Sequence, residues 1–337
     1  MIHDHNLRLL YFRSSFLLIL DTLGPHLVKQ TTNFRSPIKP DKRLAITLRY
    51  LASGSEFAVL AEAFGVGLST VREIICETCE AITEVFDVPG LPKTPNEFRE
   101  VAAKFMSLSN FPGVIGCIDG THIPIAAPKS HKEDYYCYKG YLSIMMLAVA
   151  QEDRSFCFFN IGHPGKRSDG GVFSDCGLEE IVESFPQITG NNLYHCLADS
   201  AFTLTPNVLK PYPQSVAAAD PDIAYYNYRL SATRMIVECG FGILKCRFRA
   251  LMKPIQFRIV RAQVNVVAAA VYLHNFLIKS NDNVTDTLIE DEEYQDLSTQ
   301  YPQPPGDGYF CSVGNKTAEC ATEKREFYVG YLKNNKI

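Results

Sequence analysis

Three acidic side chains occur at positions from which a sheet-and-helix protein could bring carboxylates together. Asp119 and Asp199 each come close after an apolar run that reads as a buried strand, and Glu238 lies within a long helical pattern. Sites in α/β proteins form at strand ends, and oxygen atoms are the ligands that Mg²⁺ prefers. Two such ions, about 4 Å apart, can activate water and stabilise the leaving oxygen in phosphodiester cleavage. The alternative for each aspartate is a cap on the turn that follows its strand.

The helix that carries Glu238 presents a polar line beside an apolar flank. Because successive helical residues are separated by about 100°, one line collects six residues: Ser231, Arg234, Glu238, Gly242, Lys245 and Arg249. The flank that includes Val237 and Phe241 is predicted to pack on a sheet. Glu238 is then either an i,i+4 ion-pair partner of Arg234 or a metal ligand beside the path of a phosphate chain.

Three regions of the chain differ in pattern and define the expected domains. Residues 1–110 read as helical, residues 111–280 as mixed strand and helix, and residues 281–337 as an acidic tail that contains Pro and Gly. The prolines between residues 89 and 95 mark the first boundary.

Within the middle region, four apolar runs predict strands, at 114–118, 143–149, 156–161 and 193–197. Helices are expected at 173–185 and 231–251. An antiparallel meander followed by helix, strand and helix predicts an α/β domain with three layers.

The first region contains a helix-turn-helix-like segment at residues 41–85. Two short helices, a turn at Gly65-Val-Gly67 and a third helix from about Ser69 follow one another there. The third helix would face DNA in that arrangement, but its exposed residues are acidic on balance: Arg72, Glu73, Glu77 and Glu80. A three-helix packing module is the alternative to a DNA-reading unit.

Charge is distributed unevenly along the chain. The net charge is −4, yet the stretch 280–315 alone has eight acidic residues and no Lys or Arg. The stretch 229–261 has eight basic residues and a single acid, Glu238. A basic segment of this kind is either a solvated helix face or a surface for a polyanion such as DNA. The acidic stretch is expected to be a linker or a shield for that surface.

Composition excludes a membrane channel and a wholly disordered chain. Hydrophobic residues make up 46% and charged residues 21%, and no run reaches the ~20 apolar residues of a spanning helix. The 11 cysteines are odd in number and scattered, unlike a secreted disulfide framework. Arg13 interrupts the N-terminal apolar run, which is therefore not typical of a signal peptide. We expect a cytosolic or nuclear protein with no membrane partner.

Several phrases of the sequence resemble the DDE blocks of the PIF/Harbinger transposases and of the nucleases derived from them. The three main phrases are Gly116–Pro124, Leu197–Phe202 and Val237–Lys245. Shorter matches occur at Tyr138–Tyr141, at Pro164-Gly165 with Asp169, and at Leu273–Phe276. Together with the helical phrase Arg43–Ala52, they appear in the order of the family and cover nearly the whole chain.

The resemblance implies a ribonuclease-H-like fold and divalent-metal-dependent cleavage of DNA. Asp119 matches the first Asp of the motif, Asp199 the second and Glu238 the Glu. Asp169 matches an additional acid that is usually counted with the metal site. The implied cofactor is Mg²⁺ or Mn²⁺, with water as the nucleophile for nicking and a DNA 3′-hydroxyl in its place for strand transfer.

Two motifs depart from the pattern of the family. The loop P-G-S-x-x-D reads Pro-Gly-Lys-Arg-Ser-Asp here, so that Lys166 and Arg167 replace small or neutral residues. The phrase G-D-S-G-Y reads Ala-Asp-Ser-Ala-Phe at 198–202, so that both glycines are lost. We therefore expect the loop before Asp169 and the backbone around Asp199 to differ in detail from the family.

Five basic residues near these motifs are candidates for contacts with DNA phosphates: Lys139, Lys166, Arg234, Lys245 and Arg249. The alternative for each is an ordinary surface charge. In the transposon systems of the family, a second, Myb/SANT-like protein supplies DNA recognition and nuclear entry. We accordingly expect DNA and such a protein as partners, a nuclear location with a cytoplasmic pool, and compatibility with an oligomer.

A domesticated scaffold is the rival to the enzyme hypothesis. Such a protein would bind DNA or chromatin and keep its acids for reasons of folding or partner binding, without catalysis. Binding of Mg²⁺ or Mn²⁺ distinguishes the two, because only the enzyme needs it.

Overall fold

The computed structural model describes residues 13–30, 36–186, 194–280 and 315–335. Within these ranges, five helices precede the sheet: α1 (Arg13–Leu27), α2 (Pro40–Ser53), α3 (Phe57–Phe64), α4 (Leu68–Val85) and α5 (Pro95–Ser109). Gly65 follows α3 at a φ of +59°, a left-handed conformation that glycine adopts without strain. The turn between α3 and α4 therefore forms at the glycine-containing phrase that predicts it.

A mixed sheet of five strands forms the centre of the described chain. Its strands are β1 (Val114–Pro124), β2 (Ser143–Ala150), β3 (Phe156–Pro164), β4 (His195–Leu197) and β5 (Val208–Leu209). Their order is β3-β2-β1-β4-β5, with antiparallel pairing among the first three strands and parallel pairing of β1 with β4 and of β4 with β5. Strand β2 is buried along its whole length, as expected of a continuous apolar run covered on both faces.

Helices cover both faces of this sheet. They are α6 (Asp169–Asp175), α7 (Leu178–Glu183), α8 (Gln214–Ala219), α9 (Pro221–Arg247), α10 (Val260–Lys279) and α11 (Asn315–Asn334). One hydrophobic core joins the N-terminal helices, α9 and α10 to one face, and a second core joins α6 and α7 to the other. The mixed α/β class predicted from the sequence is confirmed.

Strand β1 is longer than the sequence predicts. The apolar run predicts a strand that ends before Asp119, but β1 continues to Pro124 and Asp119 lies in its middle. The continuation pairs with β2, from Asp119 opposite Ala148 to Pro124 opposite Ser143. Hydrophobicity does not reveal this segment, because backbone pairing with β2 and not an apolar side-chain run holds it in the sheet.

Two helical predictions also need correction. The expected helix at 173–185 consists of α6 and α7, which Gly177 separates at a φ of +77°. The expected helix at 231–251 begins earlier, at Pro221, where the side chain of Asp220 caps it, and it ends at Arg247. Asp caps and Pro in the first helical turn are ordinary start signals.

Helix α11 lies within the segment that the sequence predicted as an acidic tail. It packs against α9, and Leu332 contributes to the same core as the N-terminal helices. The charge pattern of the preceding stretch gave no indication of this helix. The expected domain boundaries themselves stay predictions.

The N-terminal helices pack directly on the sheet domain. Helix α4 contacts α2 and α10. Two of its acidic residues form ion pairs within the chain, Glu77 with Lys29 and Arg43, and Glu80 with Arg261. DNA reading by the segment at 41–85 stays a prediction. Of the helices in the described ranges, none is long and apolar enough to cross a bilayer.

Candidate metal centre

Three aspartates converge at an open edge of the sheet. Asp119, Asp169 and Asp199 each offer a carboxylate oxygen, and these oxygens lie within 4.8 Å of one another. We call these three residues the acid cluster. Strand β4 stops at Leu197 while β1 runs on, so that side chains from both faces of the sheet can meet around the uncovered edge of β1.

Asp119 is oriented by one backbone amide and one arginine. Its Oδ1 accepts a hydrogen bond from the N–H of Gly120 at 2.9 Å, and its Oδ2 lies 3.5 Å from Nη2 of Arg234 on α9. The arginine side chain is only 12% exposed, so that water and salt screen this ion pair weakly. Asp119 therefore enters the acid cluster from the side of α9.

Asp169 enters from the first turn of α6. Ser168 caps this helix by accepting the N–H of Gly171 at 3.3 Å. The carboxylate of Asp169 rests on Gly120 of β1, because a Cβ at Gly120 would overlap it. Glycine inside a strand commonly marks the close approach of another group. That signal is present in the sequence, but our prediction of the site did not use it.

Asp199 lies just beyond β4 in a tight turn. Its Oδ1 accepts the N–H of Ala201 at 2.9 Å, the self-bonding typical of Asp in turns. Lys210, directly after β5, donates to the carbonyl oxygens of Ser200 at 3.0 Å and Phe202 at 2.7 Å. Lys210 therefore clamps the turn that holds Asp199. Sequence reasoning missed this lysine, because its contact depends on the pairing of β4 with β5.

Burial and mutual repulsion make the acid cluster costly to ionise. Desolvation raises the pKa of Asp119 from 3.8 to about 7; Arg234 opposes the shift, and the other two aspartates add to it. Burial and then the charge of Asp199 raise the pKa of Asp169 to about 6. A close set of carboxylates whose negative charge is only partly compensated fits a hard divalent cation with oxygen ligands.

Glu238 lies beside the acid cluster. Among the described residues, the group of close carboxylates comprises the three aspartates. Oε1 of Glu238 lies 3.5 Å from Nη2 of Arg234, the same nitrogen that approaches Asp119. One guanidinium therefore links Glu238 to the acid cluster. The i,i+4 ion pair considered from the sequence is present, and a role for Glu238 as a metal ligand stays a prediction.

Lys245 points inward from α9 toward β1. Its Nζ donates to Oγ1 of Thr121 at 2.6 Å and lies 3.4 Å from the carbonyl oxygen of His122. Burial lowers the pKa of Lys245 to about 8. The contact holds α9 against the strand that carries Asp119, so that a structural role accompanies the predicted phosphate contact.

The remaining candidate phosphate contacts differ in their surroundings. Lys139 lies near the acid cluster, where its charge opposes the rise in the pKa of Asp169. Lys166 and Arg249 are exposed. Arg249 begins a 3₁₀ turn beyond the end of α9, so that it does not continue the helical line predicted from the sequence.

The chain is similar to several known proteins. Residues 118–275 match the family described as DDE superfamily endonuclease. The chain is 28% identical over 269 residues to the protein ALP1-like of Arabidopsis thaliana. The matched region covers 74% of this chain and 64% of that protein. It is 25% identical over 285 residues to HARBI1 of Xenopus laevis, provisionally named a nuclease, covering 82% and 79% of the two chains. No solved structure matches the chain.

The fold and the site therefore define a nuclease-type domain, and residues 118–275 of the chain are similar to the DDE superfamily of endonucleases. These relatives confirm the resemblance to Harbinger transposase-derived nucleases that the sequence motifs implied. The matched segment begins one residue before Asp119 and runs into α10. It contains the acid cluster and Glu238.

Proposed function

We propose that this protein is a DNA endonuclease of the DDE type that depends on Mg²⁺ or Mn²⁺. The convergence of Asp119, Asp169 and Asp199 carries the proposal, because three close carboxylates suit hard divalent cations. A bound pair of such ions supplies an activated water and stabilises the leaving oxygen of a phosphodiester. Strand transfer uses the same site when a DNA 3′-hydroxyl replaces the water.

The side chains of the chain are placed to hold the ion and the phosphate. The acid cluster provides the oxygen ligands, and its raised pKa values mean that a cation displaces protons on binding. Arg234 balances the negative charge of Asp119 at 3.5 Å. Lys139 supplies a positive charge near Asp169, in a suitable position for a DNA phosphate.

We further propose a ribonuclease-H-like domain in which Glu238 is the last acid of the motif. The strand order β3-β2-β1-β4-β5, with its antiparallel meander and parallel pair, supports this fold. The side chain of Glu238 is 55% exposed and is tethered through Arg234 to Asp119. A half-exposed glutamate next to the acid cluster has the rotamer freedom to join it.

We propose that DNA recognition and entry into the nucleus depend on a Myb/SANT-like partner, with a cytoplasmic pool of the protein. Helix α4 commits Glu77 and Glu80 to ion pairs within the chain. Its solvent face is acidic on balance, whereas a DNA groove selects basic surfaces. A separate protein would then provide the basic recognition element.

The alternative is a catalytically silent scaffold that binds DNA or chromatin. The position of Glu238 outside the acid cluster favours this reading. The loss of glycines around Asp199 does not favour the scaffold. Neither Ala198 nor Ala201 has a positive φ, the conformation that would require glycine. Alanine therefore fits the backbone at both positions.

Nicking of supercoiled plasmid in Mn²⁺ tests the proposed activity. Asp119→Ala removes one of three oxygen ligands, and we expect it to abolish nicking while the protein stays folded by circular dichroism. Asp175→Asn is the matched control, because Asp175 lies at the exposed far end of α6 and pairs with Arg167. Nicking by purified Asp119→Ala at the wild-type rate would remove the proposal.

Titration calorimetry with Mn²⁺ separates the enzyme from the scaffold. We expect saturable binding by the wild type and by Asp175→Asn, and none by Asp119→Ala. Absence of Mn²⁺ binding by the wild type, with DNA present, would favour the scaffold.

A further inference from the structure

A turn next to the acid cluster presents an aromatic ring and a cation together. The N–H of Gly140 donates to the carbonyl oxygen of Cys137 at 3.0 Å, and the N–H of Cys137 donates to that of Tyr141 at 2.9 Å. Gly140 completes the turn at a φ of +85°. Tyr138 and Lys139 therefore occupy the two central positions of a β-turn, at its tip.

This tip lies on the same face of β1 as Asp169. The carboxylate of Asp169 rests on Gly120, and the ring of Tyr138 meets the ring of His122 edge-on, with centroids 5.5 Å apart. Residues two apart on a strand share a face and lie about 7 Å from each other. Tyr138 is therefore a near neighbour of Asp169. Burial is the main cause that raises the pKa of the Tyr138 hydroxyl, and the negative charge of Asp169 is the second.

Tyr138 is held in place and yet exposed. His122 is fixed by a hydrogen bond between its Nδ1 and Oγ of Ser143 at 3.0 Å, and Nζ of Lys139 lies 5.6 Å from the centroid of the Tyr138 ring. Tyr138 nevertheless remains 70% exposed, the largest fraction among the large hydrophobic side chains of the described chain. A ring that its neighbours orient but do not cover is preorganised to stack on a ligand.

We propose that Tyr138 stacks on an unpaired DNA base next to the acid cluster while Lys139 contacts the adjacent phosphate. This inference rests on the proposed nuclease function and names its substrate as DNA with an unpaired nucleotide beside the cleavage position, in a frayed end or a single strand. Aromatic rings stack on any base, whereas a base inside a duplex must leave its stack to be reached.

Photocross-linking with a single-stranded oligonucleotide that carries 5-iodouracil tests the contact directly. The full chain is irradiated with this DNA in Ca²⁺, so that the readout does not depend on cleavage, and the cross-linked peptides are mapped by mass spectrometry. We expect a cross-link at Tyr138 that Tyr138→Trp retains. Cross-links that map elsewhere, or failure to bind this oligonucleotide, would overturn the proposal.

Affinities for single-stranded and duplex DNA provide the second test. We expect Tyr138→Ala to weaken single-strand binding roughly tenfold and Tyr138→Phe to restore it, with duplex affinity unchanged. Tyr228→Ala is the matched control, because Tyr228 lies on α9 and is 65% exposed, and we expect no effect from it. Equal losses for both DNA forms in Tyr138→Ala would contradict stacking on an unpaired base.

Cleavage assays distinguish failure of this inference from failure of the nuclease proposal. If the nuclease proposal fails, the wild type cleaves neither frayed nor fully paired DNA in Mn²⁺. If only the stacking proposal fails, the wild type cleaves both equally, and Tyr138→Ala cleaves like the wild type.

Discussion

Asp119 is the residue at which function and stability are most directly opposed. Its pKa rises from 3.8 to about 7, mainly because the folded protein buries it. A carboxyl with a raised pKa stabilises the fold while it is protonated, and that contribution is lost as the pH rises from about 4 through 7. The ionised form that a metal needs is therefore the form that the metal-free fold tolerates least.

We expect Asp119→Asn to stabilise the metal-free protein at pH 8. The amide cannot ionise, so that its advantage over the wild type should grow from pH 4 and level off above pH 7, on the order of 2–4 kcal/mol. Urea unfolding in EDTA across this pH range measures the difference. Parallel pH profiles for the two proteins would contradict the expectation, and added Mn²⁺ should stabilise the wild type alone.

Gly120 determines the position of Asp169 without any side chain of its own. A Cβ in Gly120→Ala would overlap the Asp169 carboxylate and push it from the acid cluster. We expect Mn²⁺ affinity to fall about tenfold or more, as for other groups that orient metal ligands. Electron paramagnetic resonance of free Mn²⁺ gives the affinity. Gly330→Ala, where a Cβ meets open space, should bind normally; equal affinities for both variants would exclude this role.

At the scale of elements, α11 braces β4 and β5 at their starts, the ends of the strands opposite to Asp199. Lys324 is only 4% exposed, and its Nζ donates to the carbonyl oxygens of Tyr194, at 3.3 Å, and of Pro206. These residues precede β4 and β5. A helix that is remote in sequence therefore ties together the two short strands on which the turn of Asp199 depends.

We expect Lys324→Met to destabilise the protein by about 1–3 kcal/mol. The methionine fills similar space but leaves two buried carbonyl oxygens without their donor, and that loss sets the cost. Lys333→Met on the same helix removes only an exposed ion pair with Asp222 and should cost less than Lys324→Met does. Urea midpoints measure both variants, and similar midpoints would mean that Lys324 does not brace the strands.

The elements also show what the sequence could and could not predict. Apolar runs located four of the five strands, all except the two-residue β5, because burial on both faces of the sheet leaves a clear pattern. Apolar periodicity located the helix around Glu238. It missed the second half of β1, where strand pairing and not hydrophobicity decides the structure. Asp169 was found only through the motif resemblance, since it begins a short helix after a polar loop. The contacts of Lys210 and Lys324 depend on tertiary packing and leave no local pattern.

For the whole molecule, the described regions share much of one interior. A single hydrophobic core includes Ile19 of α1, Val237 of α9 and Leu332 of α11. The three regions that composition distinguishes are therefore linked by packing. Composition records surface charge and turn content, whereas the core depends on apolar faces that meet from distant parts of the chain.

The open edge of β1 has a consequence for the behaviour of the protein in solution. Within the described chain, β4 pairs with β1 only as far as Cys117. The rest of β1 pairs with β2 alone, and the next bridge, between Ile125 and Ile255, lies just beyond the end of β1. Exposed strand edges invite pairing with other chains, and charged groups on them discourage it. Repulsion between the aspartates of two copies should therefore protect this edge from aggregation, and neutralising Asp119 would weaken that protection even as it stabilises the fold.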